Sequence, residues 1–299
     1  MNLQAENKSI IHFGTSSFSS KDWIGTFYPR GVKAMDFLKY YAQQFDIVEV
    51  DSTYYSIPSE YTVDGWLEKT PANFKISAKF PRGIVHAGKD KKPDSKNILD
   101  REATYPERDR FLTVMERLGK SLGPLLIQFP YFSKKIFAYK EVFLERLDRF
   151  LTDLPKDFRY AVEIRNRHWL NADFANLCRK HNAALVMADQ AWMPHGDQIM
   201  EWFDPVTTDF SYIRLLGNRQ EIEQLTSTWG REVVDKTDLL LRWAEVLKKL
   251  ADRQVETYVY ANNHYTGHAP ATARKLREML VNLMQKDKVE QPPLSKPSI

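Results

Sequence analysis

The fold is decided by stretches such as residues 160–169, which read YAVEIRNRHW. Tyr160–Ile164 has the length and apolar composition of a buried strand, and polar residues follow where that strand should end. Glu163 lies inside the apolar run, and Arg165 shares its face because side chains alternate along a strand. The stretch therefore predicts a buried strand whose carboxyl end carries charged groups.

The same pattern recurs along the chain, with helical segments between the runs. The starts of consecutive runs lie roughly 24 to 51 residues apart, which fits a strand, a helix and two loops. The eight runs are Ile10–Phe13, Ile47–Val50, Phe74–Ala78, Leu125–Ile127, Tyr160–Ile164, Ala184–Ala188, Phe210–Leu215 and Thr257–Ala261. They predict a single TIM-like (β/α) barrel of parallel strands with helices outside, and they direct attention to the loops after the strand carboxyl ends.

Length and composition agree with one globular domain. The chain has 299 residues, of which 43% are apolar and 27% charged, and no linker interrupts it. We expect residues 1–9 to be flexible, residues 10–285 to form the barrel and residues 286–299 to be a disordered tail. The net charge of +4 is too small to indicate nucleic-acid binding by itself.

The sequence predicts a cytoplasmic protein. Its one cysteine, Cys178, cannot form an intramolecular disulfide and lies in the apolar pattern of a helix, which indicates a buried structural thiol. Residues 1–6 lack the basic and apolar regions of a signal peptide. Because no apolar run approaches the roughly 20 residues that span a bilayer, we expect no membrane contact.

Motifs of several common site types are absent. The sequence has no Gly-x-Gly-x-x-Gly or Walker loop, no His-Glu-x-x-His zinc motif and no Cys-x-x-Cys pair. We therefore predict no cofactor and assign no metal ligands.

Glu49 and Glu163 are the sharpest candidate site residues. Each is a carboxylate within an apolar strand, where a lone charge is costly, so each must be paired, functional or both. The candidate partners are Lys75, Lys79, Arg165 and Arg214. An ion-pair network inside the barrel mouth is the structural alternative to a site that binds or transforms a substrate.

Arginines near the strand ends indicate an anionic substrate. The guanidinium groups of Arg165, Arg167 and Arg214 suit carboxylate or phosphate. Tyr54 and Trp169 could stack on a sugar or a base. Four further candidates for substrate binding follow the last strand: Asn262, Asn263, His264 and His268.

Seven motifs in order resemble the domain of unknown function 72 family, also called YecE-like. The resemblance covers about residues 10 to 280, through residues 14–29, 48–55, 74–81, 123–130, 161–169, 212–217 and 260–270. It implies a TIM-like barrel and no established reaction. The chain departs from the expected pattern at Asp51, where the family is expected to carry an amide, and that leaves the role of this position open.

The leading hypothesis is an enzyme, a hydrolase, lyase or isomerase of unassigned substrate, that acts by acid/base chemistry on a phosphate-bearing small molecule. Glu163 is the predicted general acid/base, Lys79 tunes its pKa, and Glu49 orients Lys79 or is the second carboxylate. Arg165 and Arg214 hold the anion.

Two alternatives stay open. One is a metal-dependent phosphoesterase or isomerase that uses His264 and the carboxylates. The other is a non-catalytic module that binds nucleic acid or protein through the lysine-rich segment 89–96, either a lid or plain surface, and the aromatic rim. A glycosidase with Glu49 and Glu163 as its pair is less favoured because arginines crowd the same face. The oligomeric state stays undetermined.

Overall fold

A computed structural model describes residues 10–87 and 92–290, and it confirms the eight predicted strands. The strands are β1 (Ile11–Thr15), β2 (Ile47–Val50), β3 (Lys75–Lys79), β4 (Leu122–Gln128), β5 (Tyr160–Glu163), β6 (Ala184–Gln190), β7 (Phe210–Gly217) and β8 (Glu256–Ala261). All pairings are parallel, in the order β1-β8-β7-β6-β5-β4-β3-β2. The first strand thus pairs with the last, and the sheet forms a nearly closed TIM-like barrel.

The seam of the barrel lies between β1 and β2, which form no backbone ladder with each other within the described residues. The Tyr41 hydroxyl bridges them: it accepts a hydrogen bond from Thr15 N (2.8 Å) and donates one to Ile47 O (3.1 Å). The strands approach closely here, since a Cβ on Gly14 would lie 2.1 Å from Ile47 O. Glycine is therefore required at residue 14.

Helices surround the sheet and follow the strands as a (β/α) barrel requires. They are α1 (Phe37–Tyr41), α2 (Glu60–Glu68), α3 (Arg82–Val85), α4 (Arg101–Glu116), α5 (Lys140–Thr152), α6 (Ala172–Lys180), α7 (Gly196–Trp202), α8 (Arg219–Leu225), α9 (Thr237–Asp252), α10 (Asn263–Thr266) and α11 (Ala269–Glu290). Cys178 is fully buried on α6, as expected, and burial raises the pKa of its thiol.

The barrel interior is closed by apolar and aromatic side chains. A buried cluster that includes Leu126, Ala161, Val186, Tyr212 and Tyr260 fills its middle, separate from the larger core between sheet and helices. Because side chains alternate along each strand, the residue two positions further on faces the same interior. At the carboxyl ends of β4, β5, β7 and β8 those next positions are Gln128, Glu163, Arg214 and Asn262, so the sequence places a polar layer above an apolar plug.

Most strand ends lie within two residues of the predicted ones, and two element boundaries differ by more. Strand β4 begins at Leu122 rather than Leu125, because Gly123 and Pro124, types depleted in strands, continue it across a register shift against β3. A Cβ on Gly123 would lie 2.6 Å from Ser77 Oγ, which explains the glycine. Helix α11 continues past Lys286 to Glu290, while residues 1–9 and 291–299 lie outside the described part of the chain.

Candidate active site

A buried network of two glutamates and one arginine spans the barrel mouth. Arg214 Nη2 lies 2.7 Å from Glu49 Oε1, and Arg214 Nη1 lies 2.6 Å from Glu163 Oε2. The side chains of the two glutamates are 0% exposed and that of Arg214 is 1% exposed. The structure therefore brings the charged residues of β2, β5 and β7 together, as the charges within apolar runs indicated.

Both carboxylates are fully occupied by donors. The Tyr212 hydroxyl donates to Glu49 Oε2 (2.7 Å), and Arg165 Nε donates to Glu163 Oε1 (3.0 Å). Burial opposes ionisation of Glu163, but Arg214 and Arg165 outweigh it and hold the pKa of this carboxyl below its usual range. Burial likewise opposes the charge on Arg214, and Glu163 and Glu49 raise its pKa. Glu163 and Arg214 are therefore both favoured in their ionised forms.

Lys79, the last residue of β3, reaches this layer from the side. Its Nζ lies 3.9 Å from Glu49 Oε1 and 5.9 Å from the centre of the Tyr54 ring, and its side chain is 12% exposed. Burial and the nearby Arg214 lower its pKa from 10.5 to about 8, against the opposing effect of the carboxylates. Lys79 therefore exchanges a proton near physiological pH.

Asp51, which follows β2, faces Lys79 across the mouth. Burial raises the pKa of its carboxyl, Lys79 lowers it, and the neighbouring charge of Glu49 raises it further. The pKa values of Asp51 and Lys79 are thus both displaced towards neutrality. In contrast, Glu163 is held ionised, although all three groups lie in one mouth.

A cavity of about 300 Å³, which Asp51 lines, opens at the carboxyl ends of β1 and β8. Asn262 Nδ2 donates to Ser16 Oγ (2.8 Å) across it, and Asn263 Oδ1 accepts a hydrogen bond from Trp23 Nε1 (3.2 Å). Its lining comprises Ser16, Ser17, Ser19, Ser20, Trp23, Asp51, Trp229, Ala261, Asn262, Asn263, His264 and Ala269. The predicted substrate-binding residues Asn262, Asn263 and His264 therefore share one wall.

The long segment after β7 covers one side of this cavity. Trp229 N donates to Asp22 Oδ2 (3.0 Å), and Val233 N donates to Thr266 O (2.6 Å). The Trp229 ring lies edge-on to His264, with ring centres 4.7 Å apart. These contacts join the loops after β1, β7 and β8 into one wall.

A larger cavity of about 940 Å³ lies at the opposite end of the barrel, beside α11. Its lining includes Phe13, Phe45, Arg277 and Met284. It lies by the amino ends of the strands, where residues of a barrel contribute to stability rather than chemistry, so the smaller cavity at the mouth is the better candidate.

Lys79, Arg165 and Tyr54 lie next to the Glu49–Arg214–Glu163 network. Three other predicted site residues lie outside both that network and the cavity. Arg167 is exposed, with its guanidinium 5.9 Å from the Trp202 ring. Trp169 stacks on Phe143, with ring centres 5.4 Å apart. His268 is buried, and its Nδ1 accepts a hydrogen bond from Ala271 N (3.1 Å) at the start of α11.

Residues outside the predicted site set complete the mouth. Tyr212 shares the inward face of β7 with Arg214, and this alternation was a usable signal. Asp51, whose role the sequence leaves open, lines the cavity and interacts with Lys79. Arg82 has a buried Nη2 with no hydrogen-bond partner among the described residues, and together with Arg165 it acts on the Tyr54 hydroxyl, lowering a pKa that burial raises. Arg82 lies in the connection after β3, where the sequence pattern does not indicate which way a side chain points.

No group of three or more His, Cys, Asp or Glu side chains is arranged to hold a metal ion within residues 10–87 and 92–290. Arg214 and Lys79 separate the carboxylates that the metal alternative would need. Part of the lysine-rich segment, residues 88–91, lies outside the described residues. No helix in the described part of the chain combines the length and apolarity needed to cross a bilayer.

Comparison with known proteins identifies similar sequences and similar structures. The UPF0759 protein YecE of Escherichia coli is 31% identical over 157 residues, which are 52% of this chain and 49% of that protein. The chain thus spans about half the length of that relative. A crystal structure of a DUF72 family protein from Thermotoga maritima is 30% identical, with a TM-score of 0.62, covering 91% of this chain and 99% of that one.

A glycoside hydrolase family 5 enzyme from Prevotella bryantii has a TM-score of 0.50 at 11% identity, covering 91% of this chain and 95% of that chain, and shares the fold alone. The family model described as "Protein of unknown function DUF72" matches residues 12–296, a range that contains all the strand-end motifs. Because this match extends along the whole barrel, the chain belongs to the DUF72 family, as its motifs predicted.

Proposed function

We propose that this protein is an enzyme that moves a proton on an anionic small molecule bound at the mouth of the barrel. Lys79 and Asp51 exchange the proton, and Arg82 and Arg165 bind the anionic group, for which phosphate or carboxylate is the best geometric match. The Glu49–Arg214–Glu163 network orients these groups.

The observation that carries this proposal is the pair Lys79 and Asp51. A lysine with a pKa of about 8 and an aspartate with a raised pKa interact at the barrel mouth, and the aspartate lines the cavity. Structural ion pairs usually drive lysine and aspartate pKa values apart, away from neutrality, whereas groups that exchange protons have pKa values near the working pH.

Glu163 has a different role in this proposal from the one its sequence position predicted. Its two oxygens accept hydrogen bonds from Arg214 and Arg165, and both arginines favour its ionised form. We therefore assign it to holding Arg165 and Arg214, while its acid/base role stays a prediction of the sequence. The metal-dependent and nucleic-acid-binding alternatives also stay predictions.

The anion-binding part rests on unsatisfied donors. Arg82 Nη2 is buried without a hydrogen-bond partner in the described residues, and a buried unpaired donor is costly unless a ligand completes it. Arg165 uses Nε on Glu163, and its side chain remains 23% exposed. Two guanidinium groups near the Tyr54 hydroxyl can together hold one anion.

The test begins with thermal shifts against a panel of phosphorylated and carboxylated metabolites. We expect shifts that Arg165→Gln and Arg82→Gln reduce, because binding stabilises the folded state in proportion to affinity. Arg110→Gln, which changes an exposed arginine on α4, is the matched control. A ligand found in this way is then followed by NMR in D₂O for exchange of carbon-bound hydrogen.

Lys79→Met should reduce this exchange by about two to four powers of ten while the ligand still binds, the usual contribution of a general acid/base group. Asp51→Asn should reduce exchange similarly. Exchange that survives Lys79→Met, or ligand shifts that Arg165→Gln and Arg110→Gln change equally, would contradict the proposal.

A further inference from the structure

The amine of Lys79 is placed as a nucleophile as well as a proton carrier. Among residues 10–87 and 92–290, its nearest anionic partner is Glu49, at 3.9 Å, beyond hydrogen-bond distance. Its side chain is mostly buried yet remains 12% exposed, so it is not sealed within the core. The neighbouring ion pairs are short, whereas Lys79 makes none within the described residues. Once Lys79 loses its proton, the lone pair of its amine is therefore available for bond formation.

We propose that Lys79 forms an imine with the carbonyl carbon of an anionic aldehyde or ketone, which names the substrate class of the proposed enzyme and rests on that proposed function. The anionic group binds Arg82 and Arg165. The carbonyl lies between Lys79 and Asp51.

Lys79, Asp51 and the substrate supply the donor and the acceptor for each step. The neutral amine of Lys79 adds to the carbonyl carbon, and the proton lost from nitrogen moves to the former carbonyl oxygen, giving a carbinolamine. Asp51, in its acid form, then protonates that hydroxyl, the carbon–oxygen bond breaks and water leaves. The products are a protonated imine on Lys79, one water molecule and the Asp51 carboxylate.

The surrounding charges fit these steps. Arg214 and burial disfavour the ammonium form of Lys79, with its pKa near 8, so more free amine is present at neutral pH than in an ordinary lysine. Burial keeps Asp51 protonated to higher pH, which suits an acid that assists loss of water. Once the imine carries a positive charge, Glu49 is the nearest carboxylate and stabilises it. The protonated imine then withdraws electrons from the neighbouring carbon and makes its hydrogen easier to remove.

The experiment traps the imine by reduction in the full-length protein. The probes are pyruvate, which carries a carboxylate and a ketone; lactate, which has the same charge without the ketone; and hydroxyacetone, a ketone without the charge. Each is incubated with sodium cyanoborohydride, and peptide mass spectrometry compares Lys79 with the exposed Lys39 in the same sample. The comparison is internal to the wild-type chain, so it does not depend on the folding of a variant.

We expect pyruvate to label Lys79 at least about tenfold faster than Lys39, since the lowered pKa raises the free-amine fraction on the order of a hundredfold at pH 7. Hydroxyacetone should label Lys79 more slowly than pyruvate, and Arg165→Gln should reduce this difference. Lys79→Arg should abolish labelling at that position, and Asp51→Asn should slow it. Lactate should give a thermal shift and no adduct.

Two negative results have different meanings. If pyruvate and lactate both give Arg165-dependent thermal shifts but Lys79 is labelled no faster than Lys39, the imine is overturned and the anion-binding enzyme stands. If pyruvate, lactate and the whole metabolite panel leave the melting temperature unchanged, and Lys79 reacts like Lys39, both proposals fall. Equal labelling by pyruvate and hydroxyacetone would overturn the anionic substrate class.

Discussion

At the scale of the single residue, Arg214 makes burial of the two glutamates at the barrel mouth possible. Both glutamates it contacts are fully buried, and each is tolerated only because Arg214 neutralises part of its charge. A buried ion pair contributes little net stability compared with an apolar pair, but removing one partner leaves an uncompensated charge. Removing Arg214 therefore costs more stability than the whole ion-pair network contributes.

We therefore predict that Arg214→Met lowers the free energy of unfolding by about 3–5 kcal/mol. Urea denaturation followed by circular dichroism measures this difference. Arg110→Met is the control and should change stability by less than about 0.5 kcal/mol, because that side chain is exposed. A loss below about 1 kcal/mol in Arg214→Met would show that water or relaxation replaces the arginine.

For single residues, the sequence predicted which charged residues matter better than it predicted where their side chains point. Glu49 and Glu163 could be identified because a carboxylate within an apolar run must find a partner. Arg165 and Arg167 looked equivalent from sequence, yet a short 3-10 turn at Arg167–Trp169 ends the alternation and turns Arg167 to the surface. Alternation holds only while the strand continues, so predictions beyond a strand end lose their physical basis.

At the scale of the element, the seam between β1 and β2 depends on one hydroxyl. Tyr41, from α1, supplies the hydrogen bonds that a backbone ladder would otherwise make to Thr15 N and Ile47 O. The side chain is 0% exposed, so water cannot replace it without opening the seam.

Tyr41→Phe should destabilise the protein by about 1–3 kcal/mol, because two buried backbone groups lose their partner. Hydrogen exchange should show faster exchange at the Thr15 amide than at amides of β5 and β6. Tyr40→Phe, next along α1 and only partly buried, is the matched control with an expected change within about 0.5 kcal/mol. Unchanged protection at Thr15 would mean that the strands are held without the hydroxyl.

Elements were predictable to the extent that their residues were typical. Continuous apolar runs identified every strand, but the start of β4 was missed because Gly123 and Pro124 are uncommon in strands. The seam could not be predicted, since neither Gly14 nor Tyr41 carries a local sign of a contact made with a distant strand.

At the scale of the whole molecule, charge networks occupy both ends of the barrel. The amino end contains His12, whose Nδ1 lies 2.6 Å from Asp46 Oδ2 and whose Nε2 lies 3.3 Å from Glu256 Oε1. Burial disfavours the charged imidazole, but the two carboxylates outweigh burial and raise the pKa of His12 to about 9. The carboxyl end holds the Arg214 network, so the two ends respond differently to pH.

The raised pKa of His12 predicts that the protein loses stability in mild alkali. A raised pKa in the folded state means that the contribution is complete below pH 6.5 and disappears as the pH rises through about 9. We expect the free energy of unfolding to fall by on the order of 2 kcal/mol over this range. His12→Gln should flatten that part of the profile, while a control at the exposed His168 should not. Equal slopes in His12→Gln and the wild type would refute the assignment.

Because β1 pairs with β8, the barrel can close only late in synthesis of the chain on the ribosome. Glu49 is synthesised long before Arg214, and β1 lacks its ladder partner until residue 261 has emerged. Until then the two glutamates stay hydrated, and the unpaired edge of β1 is available for mispairing with other nascent chains. Completion of β8 closes the barrel and removes water from the charges in the same late step, so a truncated product would possess neither a closed sheet nor a mouth.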